Sequence, residues 1–302
     1  MNNQSKPSER TDSRLECLQV WGGNGAANTT VSTAGLDVWL YSKPFGDDPS
    51  GGDVYYLSSC SSGRITRFAL ADVCGHGRPV AELATRLRKL MQRHIDHIDQ
   101  DRLVRSVNRE FVSLGDARTF ATGIIATFFI PTSALTLTNA GHPPPLRYDI
   151  QEGMWRNIET PPVEATPSNI PLGVFDSAGF SQNRLSLRTG DLVLCFTDGL
   201  YEAVGADGVM LGSDGLRRLL DQIGPTEPQQ LISALVKRVK ALSPQNLSED
   251  DVSILLLRPH GETVPLRNTV LAPVRYLAKR FRKAPTSVEL PNGPSLRQGD
   301  EV

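Results

Sequence analysis

Apolar positions change their spacing along this chain in a way that separates strands from helices. In GLDVWLYSKP (35–44) and DVYYLSSC (53–60), aromatic and β-branched residues fall in short runs closed by Gly, Pro and Ser, the signature of strands. After the SSG turn, Ile65, Phe68 and Leu70 roughly alternate with polar or small neighbours in RITRFALADV, up to the acid at Asp72. Past Gly77 the period lengthens. Val80, Leu83, Leu87, Leu90, Met91, Ile95 and Ile98 recur at three- and four-residue steps, which places them on one helical face. A second helix is expected over 101–114, with Leu103, Val107, Phe111 and Leu114 on one side and Gly115 as its stop.

Strand patterns return in TFATGIIATFFIP, ALTLTNAG and PLRYDI, and GHPPP divides the last two because proline cannot continue a ladder. Residues 151–182, rich in Pro, Glu, Ser and Asn, read as a long surface loop of the kind that often carries function. DLVLCFTDG is an apolar run of five that ends in an acid and a glycine. Two helices follow, near 213–222 and from Thr226, where TEPQ offers a capping box with Pro in the first turn. Ile232, Leu235, Val236, Val239 and Leu242 form the buried face of the second. VSILLLR is the last strand, directly after the acids of SEDD. Strands interspersed with grouped helices predict an α+β domain with antiparallel sheets over residues 18–260, after a disordered tail at 1–17 and before an extension at 261–302.

Composition narrows the function. The 302 residues are 39% hydrophobic and 22% charged, and the net charge of -1 gives no global basic field, so nucleic acid is not expected as a partner. The start MNNQSKPSERTDSR lacks the apolar core of a signal peptide and no run is long enough to span a membrane, so a cytoplasmic protein is expected. Cys17, Cys60, Cys74 and Cys195 show neither disulfide nor zinc spacing and read as reduced, mostly buried thiols.

Chemistry enters with the acids. Asp53 follows two glycines, Asp72 ends a strand, Asp198 ends another, and Asp250 and Asp251 precede the last one. Carboxylates converging from such strand ends would repel one another strongly unless cations neutralised them, and oxygen ligands suit hard ions such as Mg²⁺ or Mn²⁺. Glycine beside each acid lets the backbone come close enough for a carbonyl to serve as a further ligand. Any one Asp-Gly pair is more often a plain turn. Their order along the chain is what carries the signal.

GGDVYY, ADVCGHGRPVAEL, NAGHPPPLRY, IPLGVF, GDLVLCFTDGLYEA and EDDVSILLLR occur in the order seen in the SpoIIE-like branch of the metal-dependent serine/threonine phosphatases, the PPM family, which includes the RsbU-type stress-response phosphatases. The chain resembles that branch from about residue 50 to 258. The resemblance implies a β-sandwich flanked by helices, in α-β-β-α layers, holding two Mn²⁺ or Mg²⁺ ions at one end. It implies that Asp53 bridges both ions, that Asp72 and the Val73 carbonyl form a second arm, and that Asp198 and Asp250 complete the set, with Asp251 ranked behind Asp250. A metal-activated water would then hydrolyse phosphoserine or phosphothreonine without a side-chain nucleophile.

His76 and His142, each in a GH pair, read either as hydrogen-bonding and proton-transfer groups or as turn histidines, and Glu202 either as support for the site or as a helix first-turn acid. Two positions depart from the family pattern. Tyr56 replaces an acid, and Cys74 replaces the serine of DVSGHG, leaving open a redox-sensitive thiol or an inert one. No phosphate-binding arginine stands out. By resemblance the substrate is a phosphorylated anti-anti-sigma (STAS) protein in bacterial partner switching. The alternatives are a silent binding module of the same fold that sequesters a signalling protein, and hydrolysis of a small phosphate ester. Only about 50 residues precede GGD, too few for a sensor domain, so input is expected from a separate activator, the C-terminal segment or homodimerisation through the helix after Gly77.

Between Glu262 and Glu289 there is no acid, while Arg267, Arg275, Lys279, Arg280, Arg282 and Lys283 are basic. Val270, Val274, Leu277 and Phe281 repeat at helical spacing, so TVLAPVRYLAKRFRKA can form a basic amphipathic helix. Three readings stay open for residues 270–283: packing on the domain, docking to an acidic partner or the surface of an anionic membrane, or no fixed structure.

Overall fold

Strand β5 (Ser50–Ser59) shows why this sequence needs layers on both sides of a sheet. Every residue from Gly51 to Ser59 is buried, and alternate side chains point to opposite faces. Tyr55 and Leu57 enter one apolar cluster, whereas Val54 and Tyr56 enter another. A strand of this kind must sit between a second sheet and a layer of helices.

A computed structural model of the chain describes residues 13–262, except 16, 18, 47, 76, 96, 115–118, 160 and 162–167. The other strands are β1 (Ser13–Arg14), β2 (Val20–Gly25), β3 (Ala27–Ser32), β4 (Leu36–Lys43), β6 (Ile65–Val73), β7 (Ala121–Phe129), β8 (Ala134–Ala140), β9 (Leu146–Asp149), β10 (Met154–Asn157), β11 (Asn183–Ser186), β12 (Leu192–Phe196) and β13 (Val252–Pro259). The helices are α1 (Arg78–Arg93), α2 (Gln100–Leu114), α3 (Asp198–Tyr201), α4 (Gly212–Ile223) and α5 (Pro228–Leu242).

One sheet has the order β1-β3-β4-β13-β12-β9-β10 and the other β11-β8-β7-β6-β5-β2. Neighbouring strands run antiparallel apart from β1 beside β3. Their facing surfaces share a core that includes Leu40, Phe68, Leu70, Ile124, Val193, Cys195 and Leu255. Helices α1 and α2 cover the six-stranded sheet with Leu87, Leu90, Leu103, Val107 and Phe111. Helices α4 and α5 cover the seven-stranded sheet with Leu216, Leu220, Leu231, Leu235 and Val239. Full burial of each large aliphatic side chain contributes about 1.5–3 kcal/mol, and the α-β-β-α sandwich expected from the sequence is the architecture that achieves it.

Several local expectations are corrected. VWGGNGAANTTVS, where Gly and Asn hide the strand signal, forms β2 and β3. Its glycines are demanded by packing, since a Cβ at Gly22 would lie 2.4 Å from the Tyr55 carbonyl oxygen. The presumed loop at 151–182 contains β10, which a tight turn returns antiparallel to β9 so that Trp155 is buried. Helix α1 ends at Arg93, so Ile98 falls outside its apolar face and is 82% exposed. Thr226 does not cap α5. Its hydroxyl bonds the Gln230 side chain, Glu227 holds the N-cap position without a side-chain capping bond, and Pro228 opens the helix. Of the cysteines only Cys195 is buried, and Cys74 is exposed. Gly115 and the segment 263–302 lie outside the described residues. No helix among the described residues is long and apolar enough to cross a membrane.

Candidate metal centre

The acids singled out by sequence meet where the two sheets end together. Asp53 and Asp72 stand directly opposite each other in the β5–β6 register, an arrangement of like charges that costs stability unless something compensates. Asp198 begins α3 two residues after β12 ends, and Asp250 lies two residues before β13. Thus one sheet supplies Asp53 and Asp72, and the other supplies Asp198 and Asp250.

Burial and mutual repulsion decide their electrostatics. Asp53 is buried, and its carboxyl is pushed well above the ordinary carboxylate range, by desolvation first and by Asp72 next. Its Oδ2 accepts the Thr197 hydroxyl at 3.0 Å, while Oδ1 is buried with no hydrogen-bond partner among the described residues. Asp72 is pushed up to about 8 by burial and then by Asp198, Asp250 and Asp251. Asp198 is raised by burial and then by Glu202, which closes the single turn of α3. Asp72 is therefore the carboxyl on which Asp198, Asp250 and Asp251 all act.

Asp250 and Asp251 are adjacent but differ in surroundings. Asp251 is buried, and its oxygens accept the N–H groups of Phe45 at 2.6 Å and Gly52 at 2.5 Å. Asp250 is exposed, and its Oδ1 accepts the Asp251 N–H at 2.7 Å. Asp251 thus ties β13 to the GGD segment, and Asp250 lies near enough for its charge to raise Asp72.

Glycines keep the cradle open. A Cβ at Gly52 would sit 2.8 Å from the Val73 carbonyl oxygen and 3.3 Å from Asp72 Oδ1. A Cβ at Gly199 would sit 2.2 Å from the Asp251 carbonyl oxygen. A buried carboxylate oxygen without a partner, carboxylates that raise one another's pKa, and a backbone carbonyl in the same cradle fit hard divalent cations in their chemistry. As the side chains stand among the described residues, no three or more Asp, Glu, His or Cys groups close to coordinating geometry.

His76 lies outside the described residues. His142 is buried, its Nδ1 lies 2.8 Å from the Thr122 hydroxyl, and Thr122 pairs with Asp72 in the β6–β7 register. Desolvation pulls its imidazole down to about 3, so the ring is neutral at physiological pH. Asn139 clamps the turn by accepting the His142 N–H at 2.8 Å and donating to its carbonyl at 2.9 Å. These bonds give NAGH a local structural role. Cys74 is exposed, yet desolvation of its sulfur and then the carboxylates of Asp72, Asp198 and Asp250 push its thiol up, which disfavours the reactive thiolate.

The family model described as Stage II sporulation protein E, SpoIIE, matches residues 62–260. The chain belongs to the SpoIIE family. Among curated relatives, the phosphoserine phosphatase RsbU of Bacillus subtilis (strain 168) is 24% identical over 224 residues, 74% of this chain and 63% of the relative. The chain thus spans under two thirds of that relative's length.

Two solved structures share the family's fold. The RsbU and RsbW domains of a Mycobacterium tuberculosis protein superpose with a TM-score of 0.61 at 24% identity, covering 84% of this chain and 71% of theirs. The PP2C phosphatase domain of Bacillus subtilis SpoIIE, with a fragment of its regulatory domain, gives 0.61 at 18% identity, covering 77% and 66%. The sandwich is accordingly a PP2C phosphatase fold.

Sequence reasoning missed residues that hold the acids in place. Thr197 donates to Asp53 and accepts the Ser253 N–H at 2.9 Å, which joins the sheets below the cluster. Asn24 donates to the Gly51 carbonyl at 3.1 Å and the Ala81 carbonyl at 3.0 Å, fastening GGD to the start of α1. Thr197 was legible only as the first letter of TDG, and Asn24 gave no signal within its glycine-rich run.

Proposed function

We propose that this chain is a phosphoprotein phosphatase that uses divalent cations, Mn²⁺ or Mg²⁺, to hydrolyse phosphoserine or phosphothreonine. The observation that carries the reading is the convergence of Asp53, Asp72, Asp198 and Asp250 from both sheets, with Asp72 raised to about 8. Four such acids are costly together without positive charge between them. Asp53, Asp72, the Val73 carbonyl, Asp198 and Asp250 are the groups that would hold it. Bound there, two cations would supply the charge that acidifies a water and neutralises a phosphoryl group for in-line displacement.

The chain's own residues divide the remaining work. Asp72, on which the charges of Asp198, Asp250 and Asp251 act, and Asp53, which Thr197 anchors at depth, would supply carboxylate oxygens from one sheet. Half-buried Asp72 and Asp198 and exposed Asp250 present the open side of the cluster to solvent. Asp251 fixes the backbone around them, and His142, neutral and turned toward Thr122, keeps β7 in place beside Asp72.

The membership in the SpoIIE family and the RsbU relative support a narrower reading of substrate: a phosphorylated STAS-type protein in partner switching, with a separate protein as activator. The deciding test compares Mn²⁺-dependent hydrolysis of p-nitrophenyl phosphate and a phosphoserine peptide by the intact protein and Asp198→Asn. Turnover that requires Mn²⁺ and disappears in the variant is expected. Absence of both turnover and Mn²⁺ binding in the intact protein would instead indicate a sequestering module.

A further inference from the structure

We propose that Asn246 is a positioning residue that sets the divalent-cation affinity of the acidic cluster, by latching the segment after Asp198 to the segment before Asp250. The inference rests on reading that cluster as a cation site.

Asn246 is buried in the loop between α5 and β13, at 7% exposure. Its Oδ1 accepts the Val204 N–H at 2.9 Å, and its Nδ2 donates to the carbonyls of Val204 and Val239, both at 2.9 Å. Pairing with both backbone groups of one residue imitates a β-bridge. On its other side Val204 bridges Met210 across a hairpin that Leu211 N–H to Ala203 carbonyl closes at 2.7 Å. The hairpin starts directly after the α3 turn that carries Asp198. Asp250 follows Asn246 by four residues.

The neighbouring residue shows that this loop is held in a demanding shape. Leu247 adopts φ of 60° although it is not glycine, with its side chain buried. Lys43 from β4 donates to its carbonyl at 3.2 Å. The loop therefore has fixed anchors at β4, α5 and the hairpin. Nearer the sheet, the same two segments meet again where Gly199 packs on the Asp251 backbone. Together these contacts fix the separation of Asp198 and Asp250 more tightly than either loop would alone. Groups that orient ligands from behind typically account for 10–100-fold in metal affinity.

The test is Mn²⁺ titration by calorimetry of the full chain, Asn246→Asp and Asp207→Ala. Asn246→Asp keeps the size but replaces the two donated bonds with repulsion between oxygens. Asp207→Ala loosens the same hairpin at its tip, where Asp207 Oδ1 accepts the Val209 N–H at 3.1 Å, and leaves the latch intact. Mn²⁺ binding about 10–100-fold weaker in Asn246→Asp alone is expected. Equal weakening in both variants would reduce Asn246 to general hairpin stability, and unchanged affinity in Asn246→Asp would overturn the proposal.

Should Asn246→Asp fail to fold, hydrogen exchange of the unmodified chain supplies the second measurement. Coupling is reciprocal, so saturating Mn²⁺ must slow exchange over residues 203–211. Exchange there that ignores Mn²⁺ would sink the latch. If the unmodified chain binds no Mn²⁺, or if its binding survives Asp198→Asn, the cation-site reading itself falls; a Kd that responds to Asp198→Asn but not to Asn246→Asp removes only the latch.

Discussion

Gly52 occupies a point where the backbone has no room for a methyl group, because the Val73 carbonyl and Val80 press against the missing Cβ. Gly52→Ala should destabilise the fold by about 1–3 kcal/mol through overpacking, read as a lower urea midpoint at unchanged slope. It should also weaken Mn²⁺ binding, since relief requires the Val73 carbonyl or Asp72 to move. At this scale the acids and their glycines were legible because each sits in a motif only a few residues long. Thr197, Asn24 and Asn246 were not, because their partners Asp53, Gly51 and Val204 lie 144, 27 and 42 residues away. Cys74 was ambiguous in the sequence for a related reason: its reactivity depends on carboxylates contributed by other segments.

Elements show where the hydrophobic pattern suffices and where it does not. The periodic faces of α1, α2 and α5 were readable, and so were the long apolar strands β7 and β13. Short β10 was hidden, since four residues carry too little alternation and its existence depends on the turn before it. Asp149 builds that turn. Its Oδ1 accepts the N–H groups of Gln151 at 2.9 Å and Glu152 at 3.3 Å, and its Oδ2 faces Arg188 at 3.3 Å and Arg147 at 3.5 Å. The Gln151 N–H leads these in holding the carboxyl below its usual range. A lowered folded pKa means stability that is present above the unfolded value of about 3.9 and is lost as pH falls through the folded one. Asp149→Asn should therefore lower Tm at pH 7, and the difference from the parent should shrink as the pH is taken below 4. Asn108 on α2 performs a comparable task for IPLGVF, accepting the Gly173 N–H at 2.9 Å and donating to the Phe175 carbonyl at 2.7 Å. Asn108→Leu should cost about 1 kcal/mol by removing two part-buried hydrogen bonds to this segment, with faster proteolysis over residues 168–180 as the local readout.

For the whole molecule, Cys195 reports on the inter-sheet core. It is fully buried there, and desolvation pushes its thiol up to about 12. With the other three cysteines changed to serine, alkylation of Cys195 should follow global unfolding and accelerate in step with denaturant; rapid labelling under native conditions would show that the sheets open locally. The pairing of two sheets with two helical layers was legible through family resemblance more than through periodicity, because strands buried on both faces look alike whichever layer covers them.

Since Asp53 and Asp72 belong to one sheet and Asp198 and Asp250 border the other, the cluster spans a seam. The Thr197–Asp53 bond crosses that seam at 3.0 Å. Such a construction works as a vernier: two rigid scales, ruled by backbone hydrogen bonds, whose marks coincide at one setting. A sliding of one scale against the other by a fraction of a residue would leave both sheets intact, yet would put the four marks out of line.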